Sequence, residues 1–315
     1  MANLISRIVE PWYPANAIGL EENLASVVQL ERVKGNVCRL KRAATAPIDA
    51  ALLRPSFDEP NIQNGTQLAA VLNDLAIGAG LLRQKRWSLT LPETTTRTTV
   101  FTIETQPQSG AELQEVLKWK IERNFGAPVE ELSISRERLQ KDAQGRDRYL
   151  AIAVKKSVLA EYERLLDALR WRAGLILPRH LGEAQWLVRN GTAGDSLLLS
   201  GSSQGFTGVI FRQKQPLIVR SVTCAEGEFE DEFYRFLLFY RDRNIPETAG
   251  DDLPLRRLMV IGEGITKQRA GEIVNETTGG DLHPLAAEDL GLQLPNREFS
   301  FDSIAAPAGL ATLSW

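Results

Sequence analysis

The chain is poor in the side chains that bind soft metals or perform nucleophilic catalysis. Its 315 residues include two cysteines, Cys38 and Cys224, and two histidines, His180 and His283. Their spacing matches no metal or redox motif, so a zinc site is not expected. No Ser-His-Asp or Cys-His set can be assembled from so few imidazoles. The few cysteines fit a reducing, intracellular setting. A basic surplus is also missing: Lys and Arg number 37 against 40 Asp and Glu, a net charge of -3. Nucleic-acid binders usually carry the opposite balance, so no nucleic-acid partner is expected. Long apolar runs are absent too. The best candidate, "QLAAVLNDLAIGAGLL", carries Asp74 and two glycines and falls short of the ~18 residues that span a membrane. Its Leu68, Val71, Leu72 and Leu75 recur at helical spacing, which reads as a core-facing helix. The opening "MANLISRIVEPWYP" has one Arg, an early Glu10 and no small-residue cleavage pattern, so it does not read as a secretory leader. Leu4, Ile5, Ile8, Val9 and Trp12 share one helical face there, as in a short helix docked on the body or a foot on a membrane or partner.

What is present is enough apolar residue, 43%, for two ordinary domains or one bilobal unit. Strands and helices alternate. Residues 17–30 and 36–47 read as strands around a Lys34-Gly35-Asn36 turn, with a polar corner at Glu21-Glu22-Asn23. Helices are expected near 66–79, over 110–126 and over 157–174, the last with Ser157 as cap and Gly174 after its end. Strands are expected at 86–92, in "TVFTIET", in "ELSISRERLQ" and in "RDRYLAIAVKK". The polar, Gly-rich stretch "LVRNGTAGDS" (187–196) reads as a boundary. Beyond it the opening grammar repeats: "SLLLSGSSQGFTGVIFRQKQPLIVRSV" contains three strand-like runs separated by small polar turns. A helix at 228–243, the strand "RRLMVIG", a helix near 266–278 and "AAPAGLATLSW" complete the chain. Two halves that each begin with a three-strand meander predict an internally duplicated α/β fold.

Some surfaces can be read at this stage. Leu113, Val116, Leu117 and Ile121 form a core stripe on helix 110–126, while Trp119 and Phe125 fall off it or at its end. Helix 228–243 carries Phe229, Phe233, Phe236, Leu237 and Tyr240 at helical spacing, a core stripe with one flank that could be exposed. "RQKR" (83–86) and "LRWRAG" (169–174) read as solvated faces, and His180 and His283 as isolated structural or surface residues.

The order of these segments resembles the actin-like ATPase superfamily, and within it the PilM-like proteins of type IV pilus assembly, relatives of the cell-division protein FtsA. "AIGLEENLASVVQLE" resembles the opening phosphate hairpin. "GAELQEVLKWKIERNFGAPVEELSIS" resembles the family's Glu-rich helix and its strand, and "RYLAIAVKKSVLAEYERLLDALRWRAGLIL" the next strand and helix. "GVIFRQKQPLIVRSV" resembles the second hairpin, "RLMVIGEGITKQRAGEIV" the adenosine-site strand, and "AAPAGLATL" the terminal helix. The resemblance implies an α/β, actin-like (ribonuclease H-like, duplicated) two-lobed fold with an inserted FtsA/PilM-type small subdomain. The lobes would be 1–192, containing the insert 93–173, and 193–315, whose outer subdomain is largely lost between "RSVTCAEGEFEDEFYRFLLFYRDR" and the next strand.

The same resemblance places a nucleotide cleft at the two hairpins. Backbone amides at glycine corners approach phosphates there, and acids organise magnesium and water. In the first hairpin Gly19 is kept, Glu21 stands for the acid, and Asn23, a residue that tolerates left-handed backbone, stands where Gly is usual. In the second, Ser200 replaces the acid and Ser202 the glycine. The third motif reads Gly262-Glu263-Gly264, and an acid beside polyphosphate is unfavourable. The expectation is a pseudo-ATPase scaffold with no catalytic residue, no metal and no cofactor, ATP with magnesium being a doubtful ligand. The alternatives are an active actin-like ATPase that assembles with nucleotide, or a GspL-like cytoplasmic domain of a type II secretion system. The family also implies a partner: the cytoplasmic tail of a PilN-like bitopic inner-membrane protein, held in a groove between the first lobe and the insert, with Trp119 and Phe125 as candidate anchors. Phe236 and Tyr240 are candidates for a second partner surface or self-association. The chain ends at Trp315 without a membrane span, which favours the separate, cytoplasmic PilM-like form, peripheral at the inner membrane through its partners.

Overall fold

The computed structural model describes residues 13–104, 107–190, 194–244, 255–295 and 299–315. The opening amphipathic stretch Leu4–Trp12 lies outside them. The chain divides into two compact units, Met1–Thr95 with Ala160–Trp186 and Ala287–Trp315, and Thr96–Leu159 with Leu187–Ala286.

In the first unit, β1 (Asn16–Leu20), β2 (Leu24–Lys34) and β3 (Val37–Pro47) form an antiparallel meander. β4 (Arg86–Leu91) and β8 (Arg172–Pro178) extend it in parallel, and β13 (Leu292–Gln293) closes the other edge in the order β13-β3-β2-β1-β4-β8. Helix α1 (Gly65–Gly78) covers β2 and β3, capped by the Asn64 side chain on the Gln67 amide. In the second unit, β9 (Asp195–Ser202), β10 (Gly205–Arg212) and β11 (Gln215–Thr223) form a second meander. β12 (Leu255–Gly262) joins β9 in parallel, giving β11-β10-β9-β12. The order β3-β2-β1-β4 is thus repeated strand for strand, as the two-fold repetition in the sequence requires. The second unit also holds the antiparallel sheet of β5 (Arg97–Thr102), β7 (Arg148–Lys155) and β6 (Leu132–Leu139), with α2 (Gly110–Phe125) beside it. Ser109 caps α2 on the Glu112 amide, and Gly126 ends it in the left-handed conformation, φ +66°. Arg148 ties this sheet to β11 through the carbonyls of Pro216 and Leu217, at 3.1 and 2.9 Å.

Several sequence expectations change. Helix α3 (Lys156–Ala168) stops six residues before Gly174, because Arg170 takes φ +55° and the Trp171 amide returns to the Leu166 carbonyl. Ser157 lies inside the helix and not at its cap. Trp171 is buried against Trp87, ring centroids 4.9 Å apart, so the "LRWRAG" stretch is no solvated face. Gly174 sits in β8, where a Cβ would lie 2.5 Å from Pro14 Cδ. Helix α4 (Arg179–Arg189) follows β8 directly and was not foreseen. The C-terminal segment returns to the first unit: α7 (Phe301–Ala311) packs on β1, β2 and β4. Glycines make this possible. A Cβ on Gly309 would lie 2.0 Å from the Gly182 carbonyl oxygen of α4, and one on Gly19 would lie 2.9 Å from Pro307 Cγ. Trp186 Nε1 donates to the Ala305 carbonyl at 2.8 Å across the same contact.

Candidate functional site

The corner after β1 is closed by its own backbone. The Glu21 amide donates to the Leu24 carbonyl at 2.8 Å, and the Asn23 carbonyl accepts from the Ile48 amide at 3.0 Å. Asn23 is not left-handed: the only non-glycine residues with positive φ among those described are Arg170, Gln213 and Lys214. Gly19 is required, but for the approach of α7. The Glu21 carboxylate is engaged. Its Oε2 lies 3.2 Å from Nη1 of Arg179, the first residue of α4, whose Nε donates to Glu183 Oε1 at 2.8 Å. Burial works against the Arg179 charge, but the carboxylates of Glu183 and Glu21 outweigh it and raise its pKa above the ordinary arginine value. His180, taken from sequence as isolated, is 1% exposed and donates or accepts at Nδ1 with Glu93 at 2.8–2.9 Å. His283 is exposed, 3.8 Å from Asp281.

In the second unit the corner after β9 is Ser203-Gln204. Ser202 Oγ donates to the Gly205 carbonyl at 3.2 Å, and Gly205 has φ +131°. Ser200 is 1% exposed; its backbone pairs with Thr207 and Ile261, and its Oγ has no partner among the described residues. The open side of Gly201 is filled by backbone, since a Cβ there would lie 2.0 Å from the Glu263 carbonyl oxygen. Gly262 and Gly264 have φ of +93° and +92°, and Gly264 faces the Phe229 ring. These motifs share one cavity of about 260 Å3, lined by Ser202, Ser203, Cys224, Phe229, Glu263 and Gly264 among others. Burial, then the charges of Glu232 and Glu228, push the Cys224 thiol up, so it does not present a thiolate at neutral pH.

Of the two acids at the first corner Glu21 is bound to an internal arginine, the second corner, Ser203-Gln204, has no acid, and the residues lining its cavity include Glu263 and no cationic side chain. No group of three or more His, Cys, Asp or Glu able to hold a metal occurs among the described residues.

Of the four residues proposed to face partners, the structure exposes one. Trp119 is 53% exposed on α2, with the Arg123 guanidinium 5.2 Å from its ring centre. Phe125 is buried with Leu117 and Ile121. Phe236 and Tyr240 are wholly buried on α5 (Phe229–Asn244). Phe236 fills the space left by Gly208 of β10, and Tyr240 donates to Asp195 at 2.7 Å, where Arg212 forms a bidentate pair. They are core, so they offer no aromatic surface for a partner or for self-association. The sequence could not show this, because the element covering α5's apolar stripe lies elsewhere in the chain. The residues missed were Arg179, Glu183 and Glu93; only a helix predicted at 179–189 would have aligned the first two at i, i+4.

No family model matches the chain, and no curated protein matches it in sequence. Solved structures do resemble it. The PilM-PilN type IV pilus biogenesis complex superposes with a TM-score of 0.74 at 16% identity, covering 96% of this chain and 99% of that one. A protein of Bacteroides thetaiotaomicron with an actin-like ATPase fold and unknown function gives 0.50 at 13%, covering 98% and 99%. The cytoplasmic domain of EpsL, an inner-membrane component of the type II secretion system of Vibrio cholerae, gives 0.49 at 13%, covering 95% and 94%. The first two establish that this chain has the actin-like fold, matched nearly end to end in the pilus biogenesis structure.

Proposed function

We propose that this chain is an adaptor of a type IV pilus or related secretion platform, binding the cytoplasmic tail of a PilN-like membrane protein without turning over ATP. The observation that carries the reading is the end-to-end match to a protein solved in a PilM-PilN complex. Two features of the chain support it. The carboxylate of the first hairpin is held by Arg179, and the glycine approach of the second is taken by the Glu263 backbone. Trp119 offers an exposed, rigid aromatic of the kind that anchors peptide interfaces. No described helix is long and apolar enough to cross a membrane; in this reading the chain meets the inner membrane through its partner.

The test is retention of the chain on an immobilised tail peptide of a PilN-like protein at low salt. Retention is expected, weakened by Trp119→Ala at least about tenfold, the effect of losing ~1.4 kcal/mol from one anchor. Absence of retention by the unmodified chain overturns the adaptor reading.

A further inference from the structure

Cations collect in the first unit where β1, β4 and β8 begin. In register across the sheet, Arg42 of β3 lies beside Gln29 of β2, Gln29 beside Asn16 of β1, and Arg86 of β4 beside Arg172 of β8. Gln29 Nε2 donates to Asn16 Oδ1 at 2.8 Å and Asn16 Nδ2 to Gln84 Oε1 at 3.0 Å, so the side chains between these arginines are neutral amides. The Arg172 amide donates to the Lys85 carbonyl at 2.7 Å, which joins segments 83–86 and 170–172. Arg42, Arg83, Lys85, Arg86, Arg170 and Arg172 are all exposed. Arg42 donates to the Gly80 carbonyl, while Arg83, Lys85, Arg170 and Arg172 form no ion pair among the described residues. Acids are few here. Asp74 and Asp167 lie near the ends of α1 and α3, and Glu31 of β2 is shared by Arg39 and Lys41 at 3.3 and 3.6 Å. Two aliphatic side chains stand on the same segment: Ile77 and Leu82 are each 51% exposed, around a turn in which the Gly80 amide donates to the Ile77 carbonyl.

An ordinary solvated face mixes its charges. Elsewhere on the chain exposed cations have acids, as in Lys118–Glu130, Arg138–Asp147 and Arg269–Glu230. This end keeps its cations together without such pairs, and the carbonyl ends of α1 and α3 nearby supply the partial negative charge that eases their repulsion. The chain's net charge of -3 therefore hides a one-sided basic patch. Single-stranded nucleic acid would want aromatic platforms beside the cations, and the aromatics of these segments, Trp87 and Trp171, are buried. An anionic bilayer uses both parts of the patch: cations meet the lipid phosphates, and exposed aliphatic side chains enter the headgroup boundary. We propose that this end of the first unit binds an anionic membrane surface directly, with Arg83, Lys85, Arg170 and Arg172 on the phosphates and Leu82 and Ile77 at the boundary. This goes beyond a chain held at the membrane by its partner alone, since the contact needs no tail.

The experiment is co-sedimentation of the full chain with vesicles, without any tail peptide. One set is phosphatidylcholine alone, and the other holds about 30% phosphatidylglycerol. Binding is expected to the anionic vesicles only, and to fall steeply between about 50 and about 500 mM salt. The double variant Arg83→Glu, Lys85→Glu should bind at least about tenfold more weakly. Leu82→Ser should weaken binding at unchanged charge. Lys214→Glu with Arg220→Glu, exposed positions of the second unit, makes the same change in net charge and should leave binding within about twofold. No binding to anionic vesicles, equal binding to neutral ones, or equal loss in the two double variants overturns the proposal. So does retention on DNA by a chain that leaves the vesicles alone. Tail retention is measured apart from this, so either result stands without the other.

Discussion

Arg179 shows at the scale of one residue how a distant partner sets the surroundings of a corner acid. The corner acid survives as Glu21, yet the acid alone does not decide the chemistry, because its partner is a buried arginine far along the sequence. Two tyrosines give a check on the cores at the same scale. Burial raises the pKa of Tyr240, and its hydrogen bond to Asp195 adds to this; burial also raises that of Tyr162, which bonds to Asn61. Both are neutral when folded. Their contribution to stability is therefore fully present below the ordinary tyrosine pKa of about 10 and is lost as pH rises above it. In an absorbance titration at least two of the five tyrosines should resist ionisation until the fold is lost, and complete early titration with the fold intact would contradict their burial. Residue identity was legible in the sequence; pairing was not. Asn23 tolerates left-handed backbone, but the carbonyl and amide bonds of the corner leave it in ordinary conformation.

At the scale of elements, periodicity placed most helices and strands to within two or three residues. The ends of α2 and α6 (Lys267–Thr278) carry local signals, Ser109 with Gly126 and Thr266 with Gly279, which the structure shows as caps. The end of α3 carries no such signal, since Arg170 supplies the left-handed residue that glycine usually provides, and the pull toward β8 is the burial of Trp171 on Trp87. The contact between α4 and α7 is the element packing most open to test. Gly309→Ala places a methyl against backbone and should cost at least about 1–3 kcal/mol in urea unfolding. Gly110→Ala, at the open start of α2 with nothing within 4 Å, should be neutral or stabilise by up to about 1 kcal/mol. Equal effects at both sites would contradict the close approach.

For the whole molecule, the duplication was visible in the repeated strand-corner-strand grammar, and the matching orders β3-β2-β1-β4 and β11-β10-β9-β12 realise it. The return of Ala287–Trp315 to the first unit was not visible, because an Ala- and Gly-rich apolar helix gives no hint of which sheet it covers. The fold alone leaves an ATPase and an adaptor both conceivable, and the proposed adaptor reading is the one put to the test. The most direct measurement is a calorimetric titration of the PilN-like tail peptide into the chain, with and without Mg2+ and ATP. The account predicts binding of the same affinity in both, at a Kd of about micromolar order, and no heat from Mg2+ and ATP alone. Tail binding that appears only when Mg2+ and ATP are present would contradict it.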